Sequence, residues 1–287
     1  MEAQFGPAGV NAYFASNKKN KLTMFPAYLS SLKLSAFEYQ CGHGVRVSEN
    51  SAIEFGKICN QYAISLSIHA PYYISLSSID PQKRDNSVKY ILQTATIAKA
   101  MNAKKIVVHS GSCAKMSRSN ALTLACQTLK HSLTALKNNS LGNIIICPEV
   151  MGKTNQLGSL EEVIELCKID EQLFPCIDFG HLNSRLFGKL KLKKDYEQVF
   201  SAIENNLGIY KLQNMHIHFS KIEYTNPGGE KKHLTFKDET YGPDFEPLAE
   251  LLVKKSIFPT IICESAGTQV EDALAMKKIY NNFLIKN

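Results

Sequence analysis

Short apolar runs alternate with amphipathic stretches along the whole chain, and this alternation restricts the fold more than any other feature of the sequence. Several runs are apolar at successive positions, as at Ile144, Ile145 and Ile146, which is typical of strands covered on both faces in a parallel sheet. We predict strands at 3–6, 36–40, 64–70, 105–110, 143–150, 174–179, 215–219 and 260–265. Apolar residues at three- and four-residue intervals predict helices at 52–62, 86–101, 121–136, 160–167, 192–204, 245–254 and 270–284.

Eight β–α repeats in a chain of 287 residues predict an α/β fold, a (β/α)8 TIM barrel with a single domain over residues 1–287. A doubly wound open sheet is the alternative, but no glycine-rich phosphate-binding turn follows the first strand. Ser159 and Glu162 predict a capping box at one helix start. The longest irregular stretch, 220–244, is polar, and a loop of that length inside a compact domain is usually functional or mobile.

The composition excludes several classes of protein. Hydrophobic residues make up 44% of the chain and charged residues 21%, so a fibrous or largely disordered protein is excluded. No run approaches the ~20 apolar residues that span a bilayer. Residues 1–9 do not have the pattern of a signal peptide, so we expect a cytoplasmic protein with no membrane partner. The net charge of +7 permits a polyanionic partner without requiring one.

Cysteine spacing gives no sign of a thiolate metal site. None of the eight cysteines stand two to four residues apart, and Cys147, Cys176 and Cys263 lie inside apolar strand-like runs. We therefore predict that the cysteines are mostly buried free thiols in a reducing cytosol.

Residues that can bind a metal stand at the ends of almost every predicted strand. In chain order they are His69, His109, Glu149, Asp178 with His181 three residues on, His216 and His218, His233 in the loop that follows, and Glu264. In a TIM barrel the carboxyl ends of the strands converge on one face, where active sites are formed. We expect these side chains to meet there in one site.

A metal cluster is the best explanation of this set of side chains. Each histidine or carboxylate taken alone is more often a structural or solvated residue. Crowded on one dry face, imidazoles and carboxylates need a cation between them. Nitrogen and oxygen ligands without sulfur suit zinc or manganese. Because one ion needs three or four protein ligands and Glu149 can bridge two ions, we predict two or three ions, an arrangement that suits phosphoester hydrolysis.

The motifs around these residues resemble those of endonuclease IV, the zinc-dependent apurinic/apyrimidinic endonuclease family. They are residues 68–72, 108–111, 148–149, 176–181, 215–221 and 263–264, or IHAPY, VHSG, PE, CIDFGH, MHIHFSK and CE. The resemblance implies a TIM barrel with three zinc ions that acts on double-stranded DNA. It implies cleavage on the 5′ side of an abasic site, which leaves a 3′-hydroxyl and a 5′-deoxyribose phosphate, and no obligate protein partner.

The resemblance also implies a role for each strand-end residue. His69 and His109 would bind the first metal, Glu149 would bridge it to the second, Asp178, His216 and Glu264 would complete the second, and His181 and His233 would bind the third. Glu149 and Glu264 are the implied catalytic carboxylates. A hydroxide between the first two ions would attack the phosphorus, and the third ion would stabilise the leaving oxygen.

Two positions depart from the family pattern. The family has an aspartate two residues before the loop histidine, where this chain has Lys231. Either Glu230 replaces the aspartate after a one-residue shift, or the third site is weak or empty. His218 stands where the family commonly has asparagine. We expect its side chain to point away from that of His216 and to have a supporting or structural role.

Polar and aromatic residues in the loops after the strands are candidates for contact with DNA. We predict that Tyr72 supports the stack around an abasic nucleotide, and we leave Tyr73 open. Lys115 and Arg118 follow the fourth strand, and we expect them to be solvated rather than bound to phosphate.

Two other functions remain open. A sugar isomerase or epimerase with one metal ion would need only Glu149, Asp178, His216 and Glu264, which would leave the other histidines without a role. A barrel that binds abasic DNA without cutting it is the second alternative. The number of ions per chain separates the first from a nuclease, and cleavage of an abasic duplex separates the second.

Overall fold

Eight parallel strands form the centre of the molecule in the computed structural model, which describes residues 2–113 and 116–285. Ten strands are present among these residues: β1 Gln4–Pro7, β2 Ala36–Gln40, β3 Ser65–His69, β4 Lys105–His109, β5 Ile145–Glu149, β6 Cys176–Asp178, β7 His216–Phe219, β8 Ile222–Thr225, β9 Gly229–His233 and β10 Thr260–Cys263. The order in the large sheet is β1-β10-β7-β6-β5-β4-β3-β2. A bridge between Ala8 and Glu38 joins the two edges, so the predicted TIM barrel is confirmed.

Helices surround the barrel. They are α1 Ala12–Ser16, α2 Phe25–Ser31, α3 Glu49–Gln61, α4 Pro81–Ala100, α5 Arg118–Asn138, α6 Leu160–Cys167, α7 Phe179–Arg185, α8 Lys193–Gln213, α9 Glu246–Lys254 and α10 Gln269–Leu284. Short polar side chains begin several of them: Ser48, Asp80 and Ser117 each accept a hydrogen bond from a backbone N–H of the first turn. The predicted capping box of Ser159 and Glu162 is present at the start of α6.

Residues alternate along each strand between the helix layer and the barrel interior. Ile68, Ile146 and Ile217 are fully buried in the main apolar core. The alternate positions face inward, where Val107 and Cys147 belong to a separate small apolar cluster. Much of the remaining interior is polar, with the side chains of Glu38, Ser67, His216 and His218 all buried. A barrel interior is usually packed with branched apolar residues, so these polar side chains need an explanation.

The stretch 220–244 was predicted to be an irregular loop, and this prediction is wrong. It contains the antiparallel hairpin of β8 and β9. The hairpin buries little besides Ile222 and Gly229, so its sequence lacks the apolar alternation that identifies a strand. The short helices α1, α2 and α7 were also not predicted. The predicted strands and longer helices agree with the structure apart from shifts at their ends, except that α8 continues past the predicted end at 204 to Gln213, with a kink at Gly208.

The cysteines have the predicted burial. All eight are free thiols, and every one except Cys126 is buried. Burial raises the pKa of the Cys41 thiol to about 11 and that of Cys59 to about 12, so these groups stay protonated and unreactive. Among the described residues, none of the helices has the length and apolar character needed to cross a bilayer.

Candidate metal centre

A cleft of about 400 Å³ opens at the carboxyl ends of the strands. It is lined by His69, Tyr72, His109, Glu149, Met151, Lys153, Gln156, His181, Glu230, His233 and Glu264. Most of the predicted metal-binding residues are therefore brought together. They fall into three groups that share Glu149 or lie next to it, and each group can hold a metal ion.

The first group consists of His69, His109 and Glu149, from three adjacent strands. The Nε2 atoms of His69 and His109 lie 3.4 Å and 3.3 Å from Oε2 of Glu149. Nδ1 of His69 donates to the backbone carbonyl of Ala70 at 2.8 Å, so Nε2 is the nitrogen that faces Glu149. Burial lowers the pKa of His69, but the hydrogen bond and charge of Glu149 outweigh it and raise this pKa to about 9. When the imidazole is neutral, this nitrogen and the carboxylate oxygen both present lone pairs, and two such atoms that face each other fit a cation placed between them.

The second group consists of His218 and three carboxylates that lie around its Nδ1 atom. This atom lies 3.0 Å from Oε1 of Glu149, 3.4 Å from Oε1 of Glu264 and 4.0 Å from Oδ2 of Asp178. Oδ1 of Asp178 accepts the backbone N–H of His181 at 2.6 Å, whereas its buried Oδ2 has no hydrogen-bond partner among the described residues. Nδ1 of His181 lies 3.4 Å from this oxygen but makes no hydrogen bond to it. A buried carboxylate oxygen that lacks a hydrogen bond is costly, so the donor set fits a divalent ion here.

His216 does not join this group. It lies deeper in the barrel, with Nε2 at 2.9 Å from Oε2 of Glu38, while His218 approaches the carboxylates. The expectation that these two histidines point in opposite directions is wrong, because residues two apart on a strand project from the same face. Their ring centroids are 5.2 Å apart. The geometry therefore places His218, rather than the predicted His216, beside Asp178 and Glu264.

The third group consists of His181, Glu230 and His233. Nδ1 of His181 donates to the carbonyl of Val150 at 3.0 Å, and its Nε2 faces Oε2 of Glu230 at 3.6 Å. Lys231 points away and pairs with Glu223 at 2.6 Å. The one-residue shift left open by the sequence is present and brings Glu230 beside His181 and His233, and the binding of an ion by this group remains a proposal.

A β-bulge explains how Glu230 reaches His233. Residues three apart on a regular strand face opposite sides, whereas the aspartate and histidine of the family pattern, two apart, share a side. In the hairpin Glu223 pairs with Lys232 and Tyr224 pairs with Glu230, so Lys231 is the extra residue. The bulge returns Glu230 and His233 to the same face.

Glycine at 152 allows the hairpin to lie close to the loop after β5. The N–H of Glu230 donates to the carbonyl of Gly152 at 3.2 Å. A Cβ atom at Gly152 would lie 2.6 Å from Cβ of Glu230 and 2.8 Å from its Oε2. A side chain at this position would push Glu230 out of the third group.

Buried charges dominate the electrostatics of the centre. Burial alone would raise the pKa of Glu149, but hydrogen bonds from His181, His218 and His69 outweigh it, so this pKa is well below its usual value. Burial, with help from Glu149, raises the pKa of Glu264. Burial lowers the pKa of His109 to about 3, so this imidazole is neutral, the form that binds a metal.

Tyr72 lies at the mouth of the cleft, beside the first group. Its side chain is exposed, and its ring centroid is 5.7 Å from that of His69 and 5.5 Å from that of His109. A Cβ atom at Gly42 would come within 2.6 Å of the Tyr72 ring, so the glycine makes room for it. Tyr73 turns away and packs against Tyr90 at 5.8 Å.

Arg118 is exposed, as predicted, and it also makes contacts within the protein. It donates to Glu162 at 2.7 Å and to the carbonyls of Thr154 and Gln156 at 2.9 Å and 3.0 Å. It supports the loop that carries Lys153 into the cleft. Lys115 lies outside the described residues.

Glu38 and Ser67 are part of the buried polar cluster and were not predicted. Both lie inside strands rather than at their ends, which is why an inspection of strand ends missed them. The one available signal was a carboxylate in the otherwise apolar and aromatic run Ala36, Phe37, Glu38, Tyr39.

The fold and the site define a TIM barrel with a centre rich in histidine and carboxylate at the carboxyl ends of its strands. The chain belongs to the xylose isomerase-like TIM barrel family, which matches residues 26–279. An uncharacterized protein of Methanocaldococcus jannaschii is 31% identical over 255 residues, which cover 88% of this chain and 89% of that protein. A protein named "Probable endonuclease 4" from Aster yellows witches'-broom phytoplasma is 23% identical over 211 residues, or 72% of this chain and 68% of that protein.

Solved structures with different names share the fold. Endonuclease IV from Thermus thermophilus superposes with a TM-score of 0.68 at 15% identity and covers 100% of both chains. A D-tagatose 3-epimerase-like protein superposes with the same TM-score of 0.68 at 19% identity, over 99% of this chain and 97% of the other. Since both identities are low, these similarities establish the fold and leave the activity to be argued from the site.

Proposed function

We propose that this protein is a metal-dependent endonuclease that hydrolyses the phosphodiester bond 5′ to an abasic site in double-stranded DNA, leaving a 3′-hydroxyl and a 5′-deoxyribose phosphate. The observation that carries the proposal is the supply of ligands in three adjoining groups, with Glu149 shared by the first two. A single-metal enzyme would need only one of them. Similarity to a protein named endonuclease 4 supports the same conclusion.

Zinc is the cofactor that we propose, with manganese as the alternative, since the donors are imidazole nitrogen and carboxylate oxygen. When bound, two or three such ions would activate water at neutral pH and stabilise charge on the phosphodiester oxygens. Glu149 would hold the first two groups together. Glu264, whose side chain is 15% exposed, lies on the open side of the cleft and would face the entering water.

Tyr72 is the residue that we propose stacks beside the abasic nucleotide. Replacing Tyr72 by alanine is expected to weaken binding of an abasic duplex by about 5- to 140-fold, because one aromatic–base stack contributes about 1–3 kcal/mol. Fluorescence anisotropy with a labelled duplex measures this, with zinc content determined in parallel. Tyr73→Ala is the matched control, since Tyr73 packs on Tyr90 and its loss should leave binding unchanged. Equal losses in both variants would remove Tyr72 from the proposed interface.

The test of the activity itself is incubation of the zinc-loaded protein with a duplex that contains one tetrahydrofuran abasic analogue. We expect a single nick 5′ to the analogue, no nick in the undamaged duplex, and loss of nicking after treatment with a chelator. Tight binding of the abasic duplex without cleavage at saturating metal would instead identify a non-catalytic DNA-binding barrel.

A sugar epimerase with one metal ion is the second candidate. Glu149, Asp178, His218 and Glu264 on their own could hold one ion, and the fold is shared with a D-tagatose 3-epimerase-like protein. This candidate predicts one ion per chain and epimerisation of D-tagatose. It leaves His69, His109, His181 and His233 without a function, which is why we prefer the nuclease.

A further inference from the structure

The carboxylate of Glu38 lies inside the barrel, next to the ring nitrogen of His218 that does not face the carboxylates of the second group. Nε2 of His218 is 3.0 Å from Oε1 and 3.2 Å from Oε2 of Glu38, and both side chains are fully buried. Glu38 is on β2 and His218 is on β7, so the contact crosses the interior of the barrel. It joins two strands that are not neighbours in the sheet.

Two of the other imidazoles in the cleft, those of His69 and His181, are each held by a hydrogen bond to a backbone carbonyl. Nδ1 of His69 donates to the carbonyl of Ala70, and Nδ1 of His181 donates to that of Val150. In His218 the nitrogen that faces away from the second group is Nε2, and it contacts the carboxylate of Glu38 instead of a backbone carbonyl. When one ring nitrogen of a histidine donates to an acceptor, the tautomer is fixed and the other nitrogen is free to bind a metal. A carboxylate acceptor also makes the imidazole a stronger ligand.

Glu38 has no capacity left to bind an ion of its own. Oε1 accepts from Nε2 of Gln40 at 3.2 Å, and Oε2 accepts from Oγ of Ser67 and Nε2 of His216, both at 2.9 Å. A carboxylate offers about four acceptor sites, and these donors together with His218 fill them. Although Glu38, His216 and His218 lie close enough to enclose a cation, their hydrogen bonds already satisfy the carboxylate.

Burying the charged Glu38 and its polar partners inside the barrel costs free energy, which indicates that the cluster has a function. A buried carboxylate with its polar partners is seldom more stabilising than apolar residues of similar size, and apolar residues are what normally fill a TIM barrel. Ser67 and His216 each make a hydrogen bond to Glu38, and neither belongs to the three groups of proposed metal ligands. Their contacts orient Glu38, and Glu38 in turn contacts His218.

We propose that Glu38 is a positioning residue that holds His218 with its proton on Nε2 and its Nδ1 directed to the metal of the second group. His216 and Ser67 hold Glu38 in place and do not bind metal. The inference rests on the proposed metal centre but not on DNA as the substrate.

The test is a zinc titration of the metal-free Glu38→Gln variant against a chromophoric chelator. Glutamine keeps the size of the side chain but removes the charge and one acceptor. We expect one zinc ion to bind about 10- to 100-fold more weakly, the usual effect of removing such a partner, with the other ions unchanged. Glu162→Gln is the matched control: it removes another largely buried carboxylate, one that contacts Arg118 outside the cleft, and should leave zinc affinity unchanged.

Unchanged affinity of Glu38→Gln for every zinc ion would overturn the proposal, since a merely structural glutamate would affect stability alone, as Glu162 should. If wild-type protein bound no zinc, the metal centre itself would fail as well. A second measurement needs no variant: a long-range ¹H–¹⁵N spectrum of the zinc-loaded wild-type protein should show His218 protonated at Nε2. Protonation at Nδ1 would overturn the proposal even if Glu38→Gln did not fold.

Discussion

Replacing Glu149 by glutamine is expected to abolish cleavage of an abasic duplex while the barrel still folds. Glu149 is the one carboxylate shared by the first two groups: Oε2 faces His69 and His109, and Oε1 lies 3.0 Å from Nδ1 of His218. A neutral amide loses the charge that two cations would share and places an N–H₂ group where an acceptor is needed. Metal ions supply several kcal/mol to such reactions, so we expect a loss of at least about three orders of magnitude in rate.

Nicking of the tetrahydrofuran duplex under single-turnover conditions, with zinc content measured on the same sample, checks this expectation. Circular dichroism of the metal-free proteins provides the control for folding. Glu149→Gln protein that nicked the duplex at nearly the wild-type rate would show that Glu149 is not the shared ligand.

Replacing Glu230 by alanine is expected to remove the third ion only. Zinc content should fall by one ion per chain, and the rate of nicking should fall by about 100-fold or more, because charge on the leaving oxygen loses its partner. The first two groups contain no atom of the β8–β9 hairpin and should keep their ions. Zinc analysis after gel filtration, together with nicking rates, measures both effects.

Lys231→Ala is the matched control for Glu230→Ala. Lys231 lies on the same hairpin but faces outward, where it pairs with Glu223 at the surface. Exposed ion pairs contribute about 0–1 kcal/mol, so neither zinc content nor nicking should change. Loss of an ion in Lys231→Ala, with retention of all ions in Glu230→Ala, would contradict the assignment of Glu230 to the third group.

The convergence of most ligands at one cleft could be predicted from the sequence. His69, His109, Glu149 and Glu264 are at or directly after the ends of parallel strands, and the barrel brings those ends together whatever the details of the helices. The prediction needed only the positions of the strands, which the apolar runs identify well. Their roles as ligands remain a proposal until metal is measured.

Features that depend on register could not be predicted in the same way. The contact of Glu230 with the third group depends on a bulge at Lys231, and no residue type marks where a strand gains an extra residue. The position of Glu38 depends on which strands face each other across the barrel, a long-range property. The prediction of His216 as a ligand came from the family motif. Alternation along the strand places His216 and His218 on one face, and the structure has His218 beside Asp178 and Glu264.

The measurement that tests the central claim most directly is a crystal structure of the zinc-loaded protein with anomalous data on both sides of the zinc edge. We expect three anomalous peaks in the cleft, coordinated respectively by His69, His109 and Glu149, by Glu149, Asp178, His218 and Glu264, and by His181, Glu230 and His233. One peak alone, in the second group, would contradict a polynuclear centre and favour the epimerase, and the absence of any peak would contradict a metal centre altogether.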